Sequence, residues 1–383
     1  MRSDSDRNFG TLPDGKNTDT LQGDFPATLQ AAIGYIKPPD EGFRPSAQHR
    51  IDTKTKPLGA LGTLESLAVQ LALIQRRLDP CLTRKMMLVF AGDHGVAEEG
   101  VSAFPAEVTP QMVANFLDGG AAINVLCRHH GIDLRVVDMG VNAEFDDHPV
   151  LIKKKIRCGT RNFALEPAMT ATEAVAAVEA GMAVFETEYQ RQRIDIVGLG
   201  EMGIANTTSA AAIISAATGI GPAEATGRGT GIDDQGLAHK TKVIAKALAL
   251  HRPDPGDGLA LLQAVGGYEI AGIAGAVLAA AARGTAVVLD GVISTAGGLV
   301  AACLAPDVRG YLISGHRSVE PAQQAALAHL GLTPVVDFGM RLGEGTGAAM
   351  TIDVADAACR IMREMASFEE AGVSEQTTGE EGE

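Results

Sequence analysis

Six short apolar runs, each ending in glycine or a polar cluster, constrain the fold of this 383-residue chain more than any other feature. They are MMLVFAGDHG, DLRVVDMG, IDIVGLGEMG, TAVVLDG, RGYLISGHR and TPVVDFGMRLGEG. Their β-prone residues do not alternate strictly with polar ones, so they read as strands buried on both faces, as in a parallel sheet. Helical stretches separate most of them: Pro110 to Cys127, Thr172 to Gln190, Glu269 to Ala282 and Glu320 to His329. Strand and helix in alternation predict an α/β doubly wound fold with a mainly parallel sheet of about six strands.

Ligands of such folds bind beyond the carboxyl ends of the strands. Polar residues collect at those ends here: Asp93 and His94, Asp138, Glu201, Asp290, His316 and Arg317, and Asp337 through Glu344. The six strand ends therefore point at one site. Before the first strand the chain changes character. Residues 27–82 hold two helical patterns around KTKPLGALG, the second being TLESLAVQLALIQRRL with Thr63 as its cap. With a helical tail over 347–366 they predict a small helical subdomain beside a large α/β catalytic domain, 83–346. The ends, 1–26 and the acidic 367–383, read as disordered tails because they carry few apolar side chains.

Composition narrows the partners. A formal net charge of −15 argues against a phosphate-backbone partner, and 4% aromatics with no Trp argue against a stacking platform for single strands. Lys153 to Lys155 form the one compact basic run, read as a solvated strand or loop edge rather than an anion site. Five scattered cysteines without a C-x-x-C pair predict a reduced, cytoplasmic setting with no thiolate zinc cage. The polar N-terminus is no signal peptide, and the Ala-rich stretch from Ile270 to Ala282 is too short to span a bilayer. No nucleic acid or membrane partner is expected.

GLGEMG, with Gly198, Gly200 and Gly203, satisfies the glycine pattern of a dinucleotide turn. That turn also requires an acidic residue about 20 positions on, at the end of another strand, to hold the ribose. The chain there reads TGIGPAEATGRGTG, and an ionised Glu201 repels a pyrophosphate. The following IANTTSAAAIISAAT brings Asn206, Thr207 and Thr208 to a helix start, which is either a monophosphate-sized anion site or a set of capping residues. GRGTGIDDQGLAHK is a second glycine-rich loop entering a helix. It either admits a ligand close to its backbone, with Lys240 neutralising a phosphate, or is a flexible connection followed by a solvated lysine.

GEGTG sets Glu344 between two glycines, as a partly buried general base or as an exposed loop carboxylate. Asp93 and His94 have no H-x-x-H partner and read better as a hydrogen-bonded turn than as metal ligands or an acid/base pair. In SGHRSVEP, Ser318 is a cap or a phosphate contact and Arg317 a partner for a carboxylate. Neither a G-x-S-x-G elbow nor a Walker lysine loop is present, so acyl transfer and ATP chemistry are not indicated.

Taken together, TKPLGALGTLE, FAGDHGVAEEGVSAFPAEVTPQMVANFLDGGAAINVL, GLGEMGIANTTSAAA, GRGTGIDDQGLAHK, LDGVISTAGGLVA, LISGHRSVEP and DFGMRLGEGTGAA closely resemble the nicotinate-nucleotide:dimethylbenzimidazole phosphoribosyltransferases. The likeness runs in order from about Thr53 to Ile361. It implies a homodimer with a Rossmann-like large domain and a small domain built from both chain ends. It implies transfer of 5-phosphoribosyl from nicotinate mononucleotide to 5,6-dimethylbenzimidazole, giving α-ribazole 5′-phosphate and nicotinate, without cofactor or metal. The resemblance makes Glu344 the catalytic base and sets Glu201 and Lys240 in the site. It implies substrate contacts at Gly200, Met202, Gly203, Asn206, Thr207, Gly229, Gly231, Asp290, Ser318 and Leu342. One departure is Ala205, where many relatives read GEMGIGNTT.

That chemistry suits the residues. A pyridinium leaves as a neutral ring and needs no acid, while the attacking benzimidazole needs a base for its N–H proton. Glu201 beside the ribose stabilises oxocarbenium-like charge. Two alternatives are an NAD-dependent oxidoreductase using GLGEMG, which supports hydride transfer, and a non-catalytic nucleotide-binding regulator, which shows no base exchange.

Overall fold

The computed structural model of the protein describes residues 28–374. Its strands are β1 (Lys85–Gly92), β2 (Asp133–Gly140), β3 (Leu151–Lys153), β4 (Ile196–Met202), β5 (Ala286–Leu289), β6 (Leu312–His316) and β7 (Pro334–Val336). The α-helices, in chain order, are α1 (Leu29–Tyr35), α2 (Arg44–Asp52), α3 (Thr63–Gln75), α4 (Val108–Leu117), α5 (Ala122–His130), α6 (Ala171–Arg191) and α7 (Asn206–Thr218). They continue with α8 (Pro222–Ala225), α9 (Asp234–His251), α10 (Gly258–Val265), α11 (Tyr268–Ala282), α12 (Val292–Leu304), α13 (Ala322–Leu330), α14 (Thr346–Glu364) and α15 (Phe368–Ala371).

All strand pairs are parallel, in the order β3-β2-β1-β4-β5-β6-β7. From β1 the chain winds outward through β2 and β3, then returns to lay β4 on the other side of β1. The seam between β1 and β4 is thus the topological switch point, where a crevice opens beyond the strand ends. Every residue of β1 after Lys85 is buried, which explains its unbroken apolar sequence. Helices α11 and α12 pack on one another, and α11 lies along β1, β2, β4 and β5, backed by α6. A Cβ at Gly275 of α11 would stand 1.9 Å from the Val178 carbonyl of α6, so only glycine lets these helices meet so closely.

The sheet has seven strands where about six were expected. The extra one, β3, is a three-residue edge strand that contains Lys153. The lysine run is not simply a solvated edge either. Lys155 reaches inward to the Val141 carbonyl and lies 3.1 Å from the buried Asp138 carboxylate. The helix expected over Pro110 to Cys127 breaks at Gly119 and Gly120 into α4 and α5. Thr63 begins α3 rather than capping it. Gly62 takes the cap position, and Glu65 of the first turn accepts the Leu61 N–H at 2.9 Å.

The helix expected over 347–366 packs on α3, but it also lies against β4, β5 and β6 as a layer of the sheet domain. It thus joins the N-terminal helices to the sheet. One buried apolar cluster runs from Leu29 to Met362. The acidic tail, expected disordered from 367, begins instead with α15, where Ser367 and Glu370 cap each other. Ser367 also bridges Lys54 in antiparallel fashion. Residues 1–26 and 375–383, expected as tails, lie outside the described residues, as does Ala27. Among the described residues no helix is long and apolar enough to cross a membrane.

Candidate active site

A cavity of about 770 Å³ opens at the carboxyl ends of β4 and β6. Its floor is polar and its outer wall apolar. Phe104, Val108, Met112, Ala122 and Leu126, from the segment between β1 and β2, form that wall together with Leu342. Such a slot suits a flat aromatic ring, because apolar area leaving water stabilises the complex and few directed contacts are needed.

Glu344 lines the cavity from the loop entering α14. Gly343, Glu344 and Gly345 have φ of 82°, 63° and 97°, three left-handed residues in succession. For Glu344 that conformation is unfavourable, so the surroundings must hold it there. They do so from beneath and from the front. On β4, Gly200 passes directly under the loop, where a Cβ would stand 2.3 Å from the Glu344 carbonyl oxygen. In front, Oε2 of Glu344 accepts the backbone N–H of Ile123 in the first turn of α5 at 3.2 Å. The residue is 5% exposed. Burial pushes its pKa up, the Ile123 N–H opposes that, and the negative charge of Asp290 adds to it.

Asp290, at the end of β5, explains how the loop is held. Oδ1 accepts the N–H groups of Gly347 at 2.6 Å and Ala348 at 3.0 Å, and Oδ2 accepts that of Gly345 at 3.1 Å. It caps α14 from another strand and fixes the residue next to Glu344. Burial pushes its pKa up, against the His316 charge and the three amide donors.

Glu201, the last residue but one of β4, is 7% exposed and takes a hydrogen bond from Asn206 Nδ2 at the start of α7. Burial moves its pKa up to about 8 despite that donor, with Asp290, Glu269 and Glu344 adding like charge. At neutral pH the unliganded residue is thus mainly the neutral acid, not the carboxylate implied by the sequence. Ala205, the residue before α7, has φ 74° and ψ 3°, a left-handed conformation that glycine adopts without penalty.

On the far side, Thr207 and Gly229 line the cavity, and Lys240 Nζ donates to Thr207 Oγ1 at 2.7 Å. Lys240 is 1% exposed, and burial lowers its pKa to about 8. The second glycine-rich loop is pinned at two points. Glu320 accepts the Gly229 N–H at 2.8 Å, and Thr230 Oγ1 accepts that of Ala103 at 3.1 Å. Ser318 lines the cavity and its Oγ accepts the Glu320 N–H at 3.2 Å, while Arg317 lies 3.5 Å from the Asp337 carboxylate.

The phosphoribosyltransferase family profile matches residues 36–373 of the chain. The nicotinate-nucleotide–dimethylbenzimidazole phosphoribosyltransferase of Roseiflexus sp. (strain RS-1) is 54% identical over 346 residues, 90% of this chain and 98% of that protein. The enzyme of that name from Geobacter sulfurreducens is 53% identical over 347 residues, covering 91% and 98%. The chain belongs to the nicotinate-nucleotide:dimethylbenzimidazole phosphoribosyltransferase family. In three dimensions it is similar to CobT from Thermus thermophilus, with a TM-score of 0.84 at 45% identity, covering 88% of this chain and all of that one.

Among the residues that the family resemblance implied, Glu344, Glu201, Met202, Gly203, Asn206, Thr207, Gly229, Ser318 and Leu342 line the one cavity. Four do not. Lys240 lies behind Thr207, Gly200 beneath the Glu344 loop, and Asp290 under the start of α14. Gly231, with φ 107°, turns the second glycine-rich loop just outside. The covering of Gly200 also disposes of a dinucleotide turn, since the face that a pyrophosphate would approach is filled by the Glu344 main chain.

Asp93 and His94 lie between β1 and the 3-10 turn over Gly95–Glu99, with side chains bonded to distant segments. Asp93 Oδ2 accepts the Asn142 N–H at 2.7 Å, and His94 Nε2 is 2.6 Å from the fully buried Glu269. Cavity residues not picked out as contacts include His316, Glu320 and Arg341. The first two lie in SGHRSVEP, which was legible. The apolar wall carried no functional signal, because Val108 and Met112, like Ala122 and Leu126, stand four residues apart and read as ordinary apolar helix faces.

Proposed function

We propose that this site transfers the 5-phosphoribosyl group of nicotinate mononucleotide to 5,6-dimethylbenzimidazole in nucleotide-loop assembly of cobalamin, giving α-ribazole 5′-phosphate and nicotinate. The observation that carries the reading is Glu344. A carboxylate with a raised pKa, held in a strained loop beside an apolar slot, suits the removal of one proton from a flat base.

One benzimidazole nitrogen attacks C1′ from the face opposite the pyridinium. As that C–N bond forms, the bond from C1′ to the pyridinium nitrogen breaks and its electron pair neutralises the ring. Glu344 takes the proton from the second benzimidazole nitrogen, and configuration at C1′ inverts from β to α. Holding both rings and the ribose in line supplies part of the rate. Glu201 meets the positive charge of the bound nucleotide, which favours its ionised form. The anion then stabilises the oxocarbenium character at C1′. Asn206, Thr207, Gly229 and Ser318 surround the phosphate, and Lys240 supports it through Thr207. Gly200, Gly231 and Asp290 shape the loops rather than touch substrate.

We further propose a homodimer in a reduced, cytoplasmic setting. All five cysteines are unpaired thiols, which supports the setting, and sedimentation equilibrium tests the dimer. The reaction itself is tested by incubating the protein with nicotinate mononucleotide and dimethylbenzimidazole and separating the products. Equimolar nicotinate and ribotide are expected. Absence of both, or hydride transfer with NAD, overturns the reading.

A further inference from the structure

We propose that Arg341 is an outer clamp on the substrate's 5′-phosphate, closing on it from the loop that carries Glu344. The proposal rests on the phosphoribosyl-transfer reading above. Among the described residues Arg341 is the sole Lys or Arg lining the cavity, whereas the carboxyl groups of Glu201, Glu320 and Glu344 all face the same space. A monophosphate ester carries about −1.5 to −2 charges at neutral pH, so it needs more than hydroxyls and a helix start in that field. Lys240 supplies one positive charge from behind Thr207 without lining the cavity.

Arg341 is placed and free to supply the other. Its side chain is exposed and makes no hydrogen bond or ion pair among the described residues, whereas Arg228 is engaged by Asp234 at 2.5 Å and Arg317 by Asp337 at 3.5 Å. One terminal nitrogen, Nη1, stands 3.9 Å from the Cβ position of Gly231, at the rim of the second glycine-rich loop. Two residues earlier, Lys240 Nζ stands 3.3 Å from the Cβ position of Gly229. One loop therefore has a cation at its rim and another behind it. A guanidinium fork also matches two phosphate oxygens, which an ammonium does not.

The clamp has a consequence for the base. Arg341 lies between Gly339 and Gly343, with φ of 64° and 82°, and Glu344 follows directly. Contact with the phosphate draws in the segment that ends on the base. Binding energy from a part of the substrate that does not react then positions the group that does.

Arg341→Ala and Arg341→Lys test this by calorimetry with three ligands and no acceptor base. Nicotinate mononucleotide has both anionic groups, nicotinamide mononucleotide lacks the carboxylate, and nicotinate riboside lacks the phosphate. The Ala variant is expected to bind both mononucleotides about 10- to 100-fold more weakly and the riboside unchanged, with partial recovery in the Lys variant. Equal weakening of all three, no change in any, or weakening confined to the two nicotinate-bearing ligands overturns the clamp. Binding is measured without turnover, so a protein that binds the nucleotides but transfers nothing counts against the reaction and not against Arg341.

Discussion

The carboxylate of Glu344 accepts the backbone N–H of Ile123, so the loop before α14 and the first turn of α5 meet at a single hydrogen bond of 3.2 Å. A carboxylate is stabilised at such a helix N-terminus, and in the proposed reaction Glu344 gives up or shares that donor as it takes a proton.

Glu344→Gln keeps an oxygen for the Ile123 N–H but cannot accept a proton. We expect kcat to fall by about 10²- to 10⁴-fold, with nicotinate mononucleotide binding within a few-fold of wild type. Steady-state kinetics alongside calorimetry separate the two, and unchanged kcat would remove Glu344 from the chemistry.

The pKa of Glu201 is raised to about 8 in the folded protein against an ordinary 4.5. Between those values the unfolded chain has lost this proton and the folded chain keeps it, so this residue's contribution to stability falls as pH rises from about 4.5 to about 8. Urea unfolding across that window should show a smaller fall in Glu201→Gln than in wild type. Nucleotide binding near pH 7 should release protons, because the cationic ring favours the carboxylate. Calorimetry in buffers of different ionisation enthalpy reads that release directly.

Asp290→Asn replaces one acceptor oxygen by an amide that faces the backbone donors of the α14 start. A loss of about 1–3 kcal/mol of stability follows from the unsatisfied buried groups. Because the same bonds fix the residue next to Glu344, kcat should fall by about tenfold or more, while KM for the nucleotide changes little. A fall in stability with intact kcat would reduce Asp290 to a cap.

At Ala205 the left-handed backbone costs about 1–2 kcal/mol relative to glycine, against about 0.5–1 kcal/mol of extra chain entropy that glycine loses on folding. Ala205→Gly is expected to raise stability by up to about 1 kcal/mol. Chemical denaturation measures it, and a lowered midpoint would mean that the methyl packs more favourably than the backbone strains.

The sheet was legible because buried parallel strands announce themselves as apolar runs. Three-residue β3 escaped, since it is an edge strand with a lysine at its end. The break between α4 and α5 was written as Gly119-Gly120 but looked like one amphipathic stretch. In the site, Glu344 stood out because it lies between two glycines, and Glu201 because an acid does not suit a dinucleotide turn. What they do with their protons was not legible, because the shift of Glu201 depends on burial and on charges from Asp290 and Glu269, far away in sequence. Lys240 was picked from its motif, but only the fold shows it bonded to Thr207 from behind the cavity. Arg341, one cation among many in the sequence, is distinguished by being the one that faces three acids.

Where the two ends of the described chain meet, Thr55 donates to the Ala366 carbonyl, Phe368 donates to that of Thr53, and the Lys54 ammonium reaches the Met365 carbonyl across 311 residues of sequence. On a ribosome adding about 5–20 residues each second, the first of these partners waits roughly 15 to 60 s for the second to be made. The segment around Lys54 is therefore made long before the partners that hold it. Those bonds can form only once every residue that lines the cavity has already been made.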